Sequence, residues 1–340
     1  MPSAEINTTG IEYYTIPSFT LTNGTTLPIK VAYRSFNPSG TKTALLPTCY
    51  GGRINGTLNF TSGALKDHHV VVVAMLGNGE SSAPSNNPAF PFPPSLRYQD
   101  VINAHYALLT QHLGVKQLDS VIGFSMGAQQ AYYWAVMHGS NPDPSKNFVK
   151  SAVVICGSAK TSGHNYAMLE GPTSALEASV DYDGGSYVAK GIKPLKGLQA
   201  FGRAYAAWLT SAEWFRQELW RVSGAKSVEE WLPDKNAGGY YTWDAKDMLV
   251  LARMWQAGDV GTVGGGGDWK AALEGVTARV MLMPSRTDQY FTVGASEEEL
   301  KYLKHGVWAP IETIWGHIAG GGANPEDAKW MDMKIAEFLS

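Results

Sequence analysis

The sequence predicts an α/β protein: a mostly parallel sheet flanked by helices and interrupted by a long helical insertion. Three observations carry that prediction. Apolar runs such as residues 70–76 and 148–156 have the length and composition of strands buried on both faces of a parallel sheet. Helical periods alternate with these runs on either side of residues 161–268. Within 161–268 there is no convincing strand pattern, and Trp208, Trp214, Trp220, Trp231, Trp243 and Trp255 recur at helix-like intervals.

Taken in order, residues 11–21 and 27–36 are rich in Thr, Tyr, Ile and Val, with Asn23-Gly24 between them as a hairpin signal. Residues 44–50 form a third apolar run that ends at Gly51-Gly52, and a polar stretch with Leu58, Phe60 and Leu65 reads as partly helical. The strand at 70–76 gives way to a Gly/Ser/Asn/Pro loop over 77–94. Residues 95–113 have helical period and Gly114 as their cap; 118–122 is the next strand. The strand pattern returns at 278–283, followed by a helix at 296–305, a short strand at 311–315 and a closing helix opened by Pro325. The expected organisation is a core of residues 1–160 and 269–340 with a helical lid at 161–268. The lid tryptophans pack lid against sheet or line an apolar acyl pocket. Gly264-Gly265-Gly266-Gly267 lacks the spacing of a phosphate loop and reads as a connector.

The totals narrow the function. At 340 residues with 44% apolar and 17% charged content, the chain is an ordinary globular protein. A net charge of −3 gives no electrostatic case for nucleic acid or an anionic membrane. No apolar run is long enough to span a bilayer, and Met1–Thr8 has neither the basic nor the apolar region of a secretory leader. Cys49 and Cys156 end apolar runs and are expected as buried free thiols, with a reducing cytoplasm as compartment. They form no zinc-type cluster with histidines, and no metal or cofactor is expected.

The chemistry centres on Gly123-Phe124-Ser125-Met126-Gly127, between an apolar strand and an amphipathic helix with Ala128, Ala131 and Ala135 on one face. This is G-x-S-x-G in the context of the nucleophile elbow of the α/β-hydrolase fold. A serine on so tight a turn has strained backbone, and side chains two residues away would collide with facing chain. A serine hydroxyl needs a base, and the base an orienting acid, in the chain order Ser, acid, His. Asp288 and His317 each follow a late strand and fill those roles. Asp268 has no strand before it. His164 and His305 follow no late strand, and His68 and His69 precede the serine. The backbone N–H groups of Met126 and Tyr50 are the expected oxyanion donors, with Gly51 as the alternative to Tyr50.

Over most of its length the chain resembles the homoserine O-acetyltransferase branch of the α/β-hydrolases, especially divergent members from filamentous fungi. The resemblance rests on Leu76-Gly77-Asn78-Gly79-Glu80-Ser81-Ser82-Ala83-Pro84-Ser85-Asn86-Asn87-Pro88, Tyr98-Gln99-Asp100 with Leu113-Gly114-Val115, Val121-Ile122-Gly123-Phe124-Ser125-Met126-Gly127 and Ser151-Ala152-Val153-Val154-Ile155. It also covers the lid stretches 227–231 and 243–249. It implies a triad of Ser125, Asp288 and His317, a homodimer through the lid, and an ester or thioester substrate such as an acyl-CoA or acyl-carrier thioester. A role in fungal secondary metabolism, handling a polyketide acyl chain, is a further implication. The departures concern the acceptor. The loop after the third strand is Thr48-Cys49-Tyr50-Gly51-Gly52 rather than an H-A-L-T-G-like loop, and Arg203, Arg216 and Arg221 lie outside any matching motif for a carboxylate-binding arginine. The expectation is therefore serine-dependent acyl transfer to water, an alcohol or an amine. Homoserine acetylation and a non-catalytic ligand-binding protein on the same fold are the rivals.

Overall fold

The computed structural model describes residues 7–92, 95–232 and 237–340. The leader reading falls mainly on residues 1–6, the end of the 77–94 loop on 93–94, and part of the lid on 233–236; these lie outside the described residues. Eight strands form one sheet: β1 (Glu12–Thr20), β2 (Thr26–Phe36), β3 (Thr43–Pro47), β4 (His69–Val73), β5 (Ser120–Phe124), β6 (Ser151–Ile155), β7 (Arg279–Met283) and β8 (Gly306–Trp308). Their order is β1-β2-β4-β3-β5-β6-β7-β8. β1 pairs antiparallel with β2 and β2 with β4, whereas every pair from β4 to β8 is parallel. The central strands are buried along almost their whole length, as a sheet covered on both faces requires.

Helices α1 (Tyr98–Ala107) and α2 (Met126–His138) join the parallel strands. Between β6 and β7 the described residues fold into helices and turns, notably α3 (Gly163–Glu177), α4 (Leu195–Leu209), α5 (Ala212–Arg216), α6 (Val228–Trp231), α7 (Ala245–Gln256) and α8 (Trp269–Glu274). α9 (Val293–Leu300) precedes β8, and α10 (Pro325–Leu339) closes the chain. One apolar cluster joins α1, α2, α4 and α7 to one face of the sheet; another joins α10 to the opposite face. No helix of the described residues is long and apolar enough to cross a membrane.

The structure differs from the sequence reading in several places. The strand at 311–315 is absent: the ordered strand is β8, and Ile311 makes only an isolated bridge to Ser285. Pro310 has no N–H to give to a ladder there. The helix expected at 296–305 runs from Val293 to Leu300, because the chain then turns to pack Leu300 and Leu303 against bare Gly306. The stretch around Leu58 holds a three-residue 3-10 turn and then irregular turns, broken by Phe60 at φ 69°. Finally, α2 is not amphipathic. It is buried from Met126 to Val136, and its glutamines find partners inside: Gln130 Nε2 donates to Thr48 O (3.0 Å), and Tyr98 donates to Gln129 Oε1 (2.6 Å). Gly264-Gly265-Gly266-Gly267 is a short turn before α8, and Asp268 caps that helix at the N–H of Lys270 (3.0 Å). Cys156 is buried and free; Cys49 is free and only partly covered.

Candidate active site

The site is built from loops at the carboxyl ends of β3, β5, β7 and β8. Ser125 joins β5 to α2 at φ 58° and ψ −123°, a conformation that costs a non-glycine residue free energy. The neighbouring glycines allow it. A Cβ on Gly123 would lie 1.9 Å from Gly127 O, and one on Gly127 would lie 2.7 Å from Pro47 O. The turn is pinned by Ser125 N–H to Ile155 O (2.9 Å). Gly127 against Pro47, and Gln130 bonded to Thr48 O, press the start of α2 onto the loop after β3. Met126 is the first residue of α2, where the helix dipole favours negative charge. Among the described residues, the N–H groups of Met126 and Tyr50 donate to no protein acceptor.

Asp288 follows β7 in a tight turn, and its carboxylate accepts three hydrogen bonds. Oδ1 takes the N–H groups of Tyr290 and Phe291 (3.1 Å each), and Oδ2 takes His317 Nδ1 (2.6 Å). A buried carboxylate needs such donors. Because a carboxylate only accepts, Nδ1 carries the proton and Nε2 is left as the acceptor. His317 sits in a 3-10 turn (Gly316–Ala319) eight residues or more beyond β8. Thr287 ties the acid and histidine loops together, donating to Thr313 O and accepting from Gly316 N–H (3.0 Å each).

Asp288 and His317 are thus paired directly. Ser125 meets them through its neighbour: the Phe124 ring lies 4.6 Å from the His317 ring, which Tyr290 flanks at 4.3 Å on another side. Ser125 Oγ makes no hydrogen bond among the described residues, and serine–histidine bonds of this kind tighten when substrate closes the site. Ser125 is 3% exposed and His317 3%, so the pair is shielded from bulk water.

The tryptophan-rich segment divides. Trp255 of α7, with Phe201 and Tyr205 of α4, packs on Tyr50 at centroid distances of 5.8, 6.0 and 6.1 Å; Trp255 also stacks on Phe291 at 5.5 Å. The Tyr50 phenol donates to Met248 O (3.1 Å), and burial pushes its pKa well up, so it stays protonated. Trp214, Trp220 and Trp231 instead form a separate cluster that joins Ala206 of α4 and packs against Trp315. The three arginines, Arg203, Arg216 and Arg221, are exposed. Arg216 pairs with Glu213, and Arg221 pairs with Glu218.

Several neighbours escaped the sequence reading. Gln289 Nε2 donates to Ala207 O (2.9 Å) and Thr210 O (2.8 Å), and Ser211 Oγ to Ile314 O (2.5 Å), so the α4–α5 corner grips the loops of both Asp288 and His317. A Cβ on Gly316 would stand 2.4 Å from Thr210 C, which shows how close that grip is. Cys156 Sγ lies within 4.8 Å of ligand atoms of Asp288 and His317. A metal there would have to replace the Nδ1–Oδ2 hydrogen bond and ionise a thiol that burial and the Asp288 charge hold well above its usual pKa.

Comparison with known proteins bears on this geometry. The alpha/beta hydrolase fold family matches residues 46–197. The chain is 30% identical over 314 residues to an ethyl acetate hydrolase of Pseudomonas veronii, covering 90% of this chain and 87% of that protein. The chain belongs to the α/β-hydrolase family. Among solved α/β-hydrolase structures, the acetyl esterase MekB superposes with a TM-score of 0.89 at 28% identity, covering 97% of this chain and 96% of its own. A homoserine O-acetyltransferase of Trichormus variabilis is 25% identical over 332 residues, 91% of this chain and 89% of that protein. This α/β-hydrolase therefore has relatives among both ester hydrolases and homoserine acyltransferases.

Proposed function

We propose that this α/β-hydrolase is a serine esterase for short acyl esters, working through an acyl-Ser125 intermediate. The observation that carries the reading is the buried Asp288–His317 pair beside the strained turn of Ser125. His317 Nε2 takes the Ser125 proton as Oγ attacks the ester carbonyl, and Asp288 stabilises the imidazolium. The N–H groups of Met126 and Tyr50 hold the oxyanion. Water then attacks the acyl-enzyme, again through His317, and releases the acid.

Three features support a short acyl group and water as acceptor. The ring cluster of Tyr50, Phe201, Tyr205 and Trp255 is packed, which favours acetyl over a polyketide chain. The lid arginines are exposed or paired with glutamate, which disfavours an amino acid acceptor held by its carboxylate. The ethyl acetate hydrolase is also more similar than the homoserine acetyltransferase. An acyl-CoA or acyl-carrier thioester remains chemically compatible as donor, and homoserine acetylation is the second reading because of the latter relative. The discriminating assay gives the enzyme ethyl acetate in one arm and acetyl-CoA with homoserine in the other. Acetate release from ethyl acetate that outpaces any O-acetylhomoserine formation supports the esterase; formation of O-acetylhomoserine at a faster rate than ester hydrolysis overturns it.

A further inference from the structure

On the α10 side of the sheet, beside the turn of Ser125, lies a cavity of about 330 Å³. None of Ser125, Asp288 and His317 lines it, but chain neighbours of Ser125 and His317 do. Phe124 precedes the serine and packs on the His317 ring; Gly320 and Gly321 continue the histidine turn; Cys49 and Gly51 flank Tyr50. Ile122 and Ile155 form its floor, and it reaches the surface near Gly51 and Gly56, both exposed.

We infer that this cavity receives the alcohol portion of the ester, a neutral alkyl group, and lets the released alcohol out. The inference rests on the acyl-Ser125 reading and extends it. When the tetrahedral intermediate collapses, the carbonyl carbon–oxygen bond breaks with its electron pair on the leaving oxygen. That oxygen takes the proton His317 removed from Ser125, and the product is the free alcohol. The leaving oxygen must therefore lie beside His317, and the wall continuing from His317 is the Gly320-Gly321 wall of the cavity. The opposite direction is occupied by the rings on Tyr50. The lining selects a neutral group. Its one cation, Arg53, is committed elsewhere, stacked 3.7 Å from the Trp243 ring and bonded to Asn78 O. The volume sits at the lower end of small-molecule sites, about 300–1,000 Å³.

The test is a series of acetate esters from methyl to hexyl alcohol on wild type, Gly56→Phe and Phe60→Ala, each first checked for wild-type folding. Gly56 has no left-handed φ, and a Cβ there meets nothing within 4 Å, so a ring enters open space. Gly56→Phe is expected to lower kcat/KM for hexyl acetate by about tenfold relative to methyl acetate. Phe60→Ala, which removes a wall ring, is expected to move that ratio the other way, and neither variant changes the preference among methyl esters of longer acids. An unchanged hexyl-to-methyl ratio in both folded variants, or a shift confined to the acyl series, overturns the inference. If wild-type Ser125 still takes a fluorophosphonate, only the cavity's role falls; if it does not, the acyl-Ser125 reading falls with it.

Discussion

At the carboxyl edge of the sheet, Ser125, Asp288 and His317 are fixed by backbone: a strained turn between glycines, two N–H groups, and a 3-10 turn. In the helical insertion, the side chains over the Tyr50 and Phe291 loops are rings held largely by other rings, Phe201 and Tyr205 on Tyr50 and Trp255 on Phe291. A few tenths of an ångström matter for proton transfer, whereas an acyl wall needs only shape. The edge should therefore govern rate and the inner lid selectivity, and the outer lid cluster neither.

The largest effect should come from the edge. Asp288→Asn keeps the shape but presents the wrong hydrogen-bond pattern to His317, and kcat is expected to fall about 10⁴-fold. Steady-state kinetics on ethyl acetate check this; a loss below tenfold would put the acid elsewhere. The two lid clusters are then compared by truncation. Trp231→Ala in the outer cluster is expected to cost about 3–5 kcal/mol of stability and to leave the ratio of acetate to hexanoate ester hydrolysis unchanged in denaturant-free assays. Trp255→Ala should cost stability too, but it should also raise hexanoate turnover relative to acetate, because that ring stands over the site loops. Equal selectivity in the two variants would erase the distinction.

The smallest expected effect lies at the seam between the two regions. Glu299 of α9 accepts Tyr132 Oη from α2 (2.7 Å) and the N–H of Ala159, where the chain leaves for the lid (2.8 Å). Burial pushes its carboxyl up from 4.5 to about 7. Between those values the folded protein keeps a proton that the unfolded chain has lost, so this group's contribution to stability falls as pH rises through that window and is flat above it. Glu299→Gln should remove that slope, measured as chemical denaturation midpoints across the same pH window.

Legibility followed the range of the interactions. Ser125 could be read because its requirements are local: two glycines, a strand before and a helix after. Asp288 and His317 could be read because chain order and strand ends fix where such residues belong, although the strand before His317 is β8 and not residues 311–315. What the sequence hid was non-local. Nothing in it distinguishes Trp255 from Trp231, and nothing marks that Gln289 holds Thr210 or that Phe124 bridges Ser125 to His317. The burial of α2 on every side was hidden too, since Gln129 and Gln130 look solvent-facing until Tyr98 and Thr48 are seen to bond them.

The measurement that bears most directly on acyl-Ser125 chemistry is intact mass after incubation with a fluorophosphonate, comparing wild type with Ser125→Ala. The expected result is a single adduct on wild type and none on the variant. An adduct that persists on Ser125→Ala, or its absence from well-folded wild type, would contradict the account.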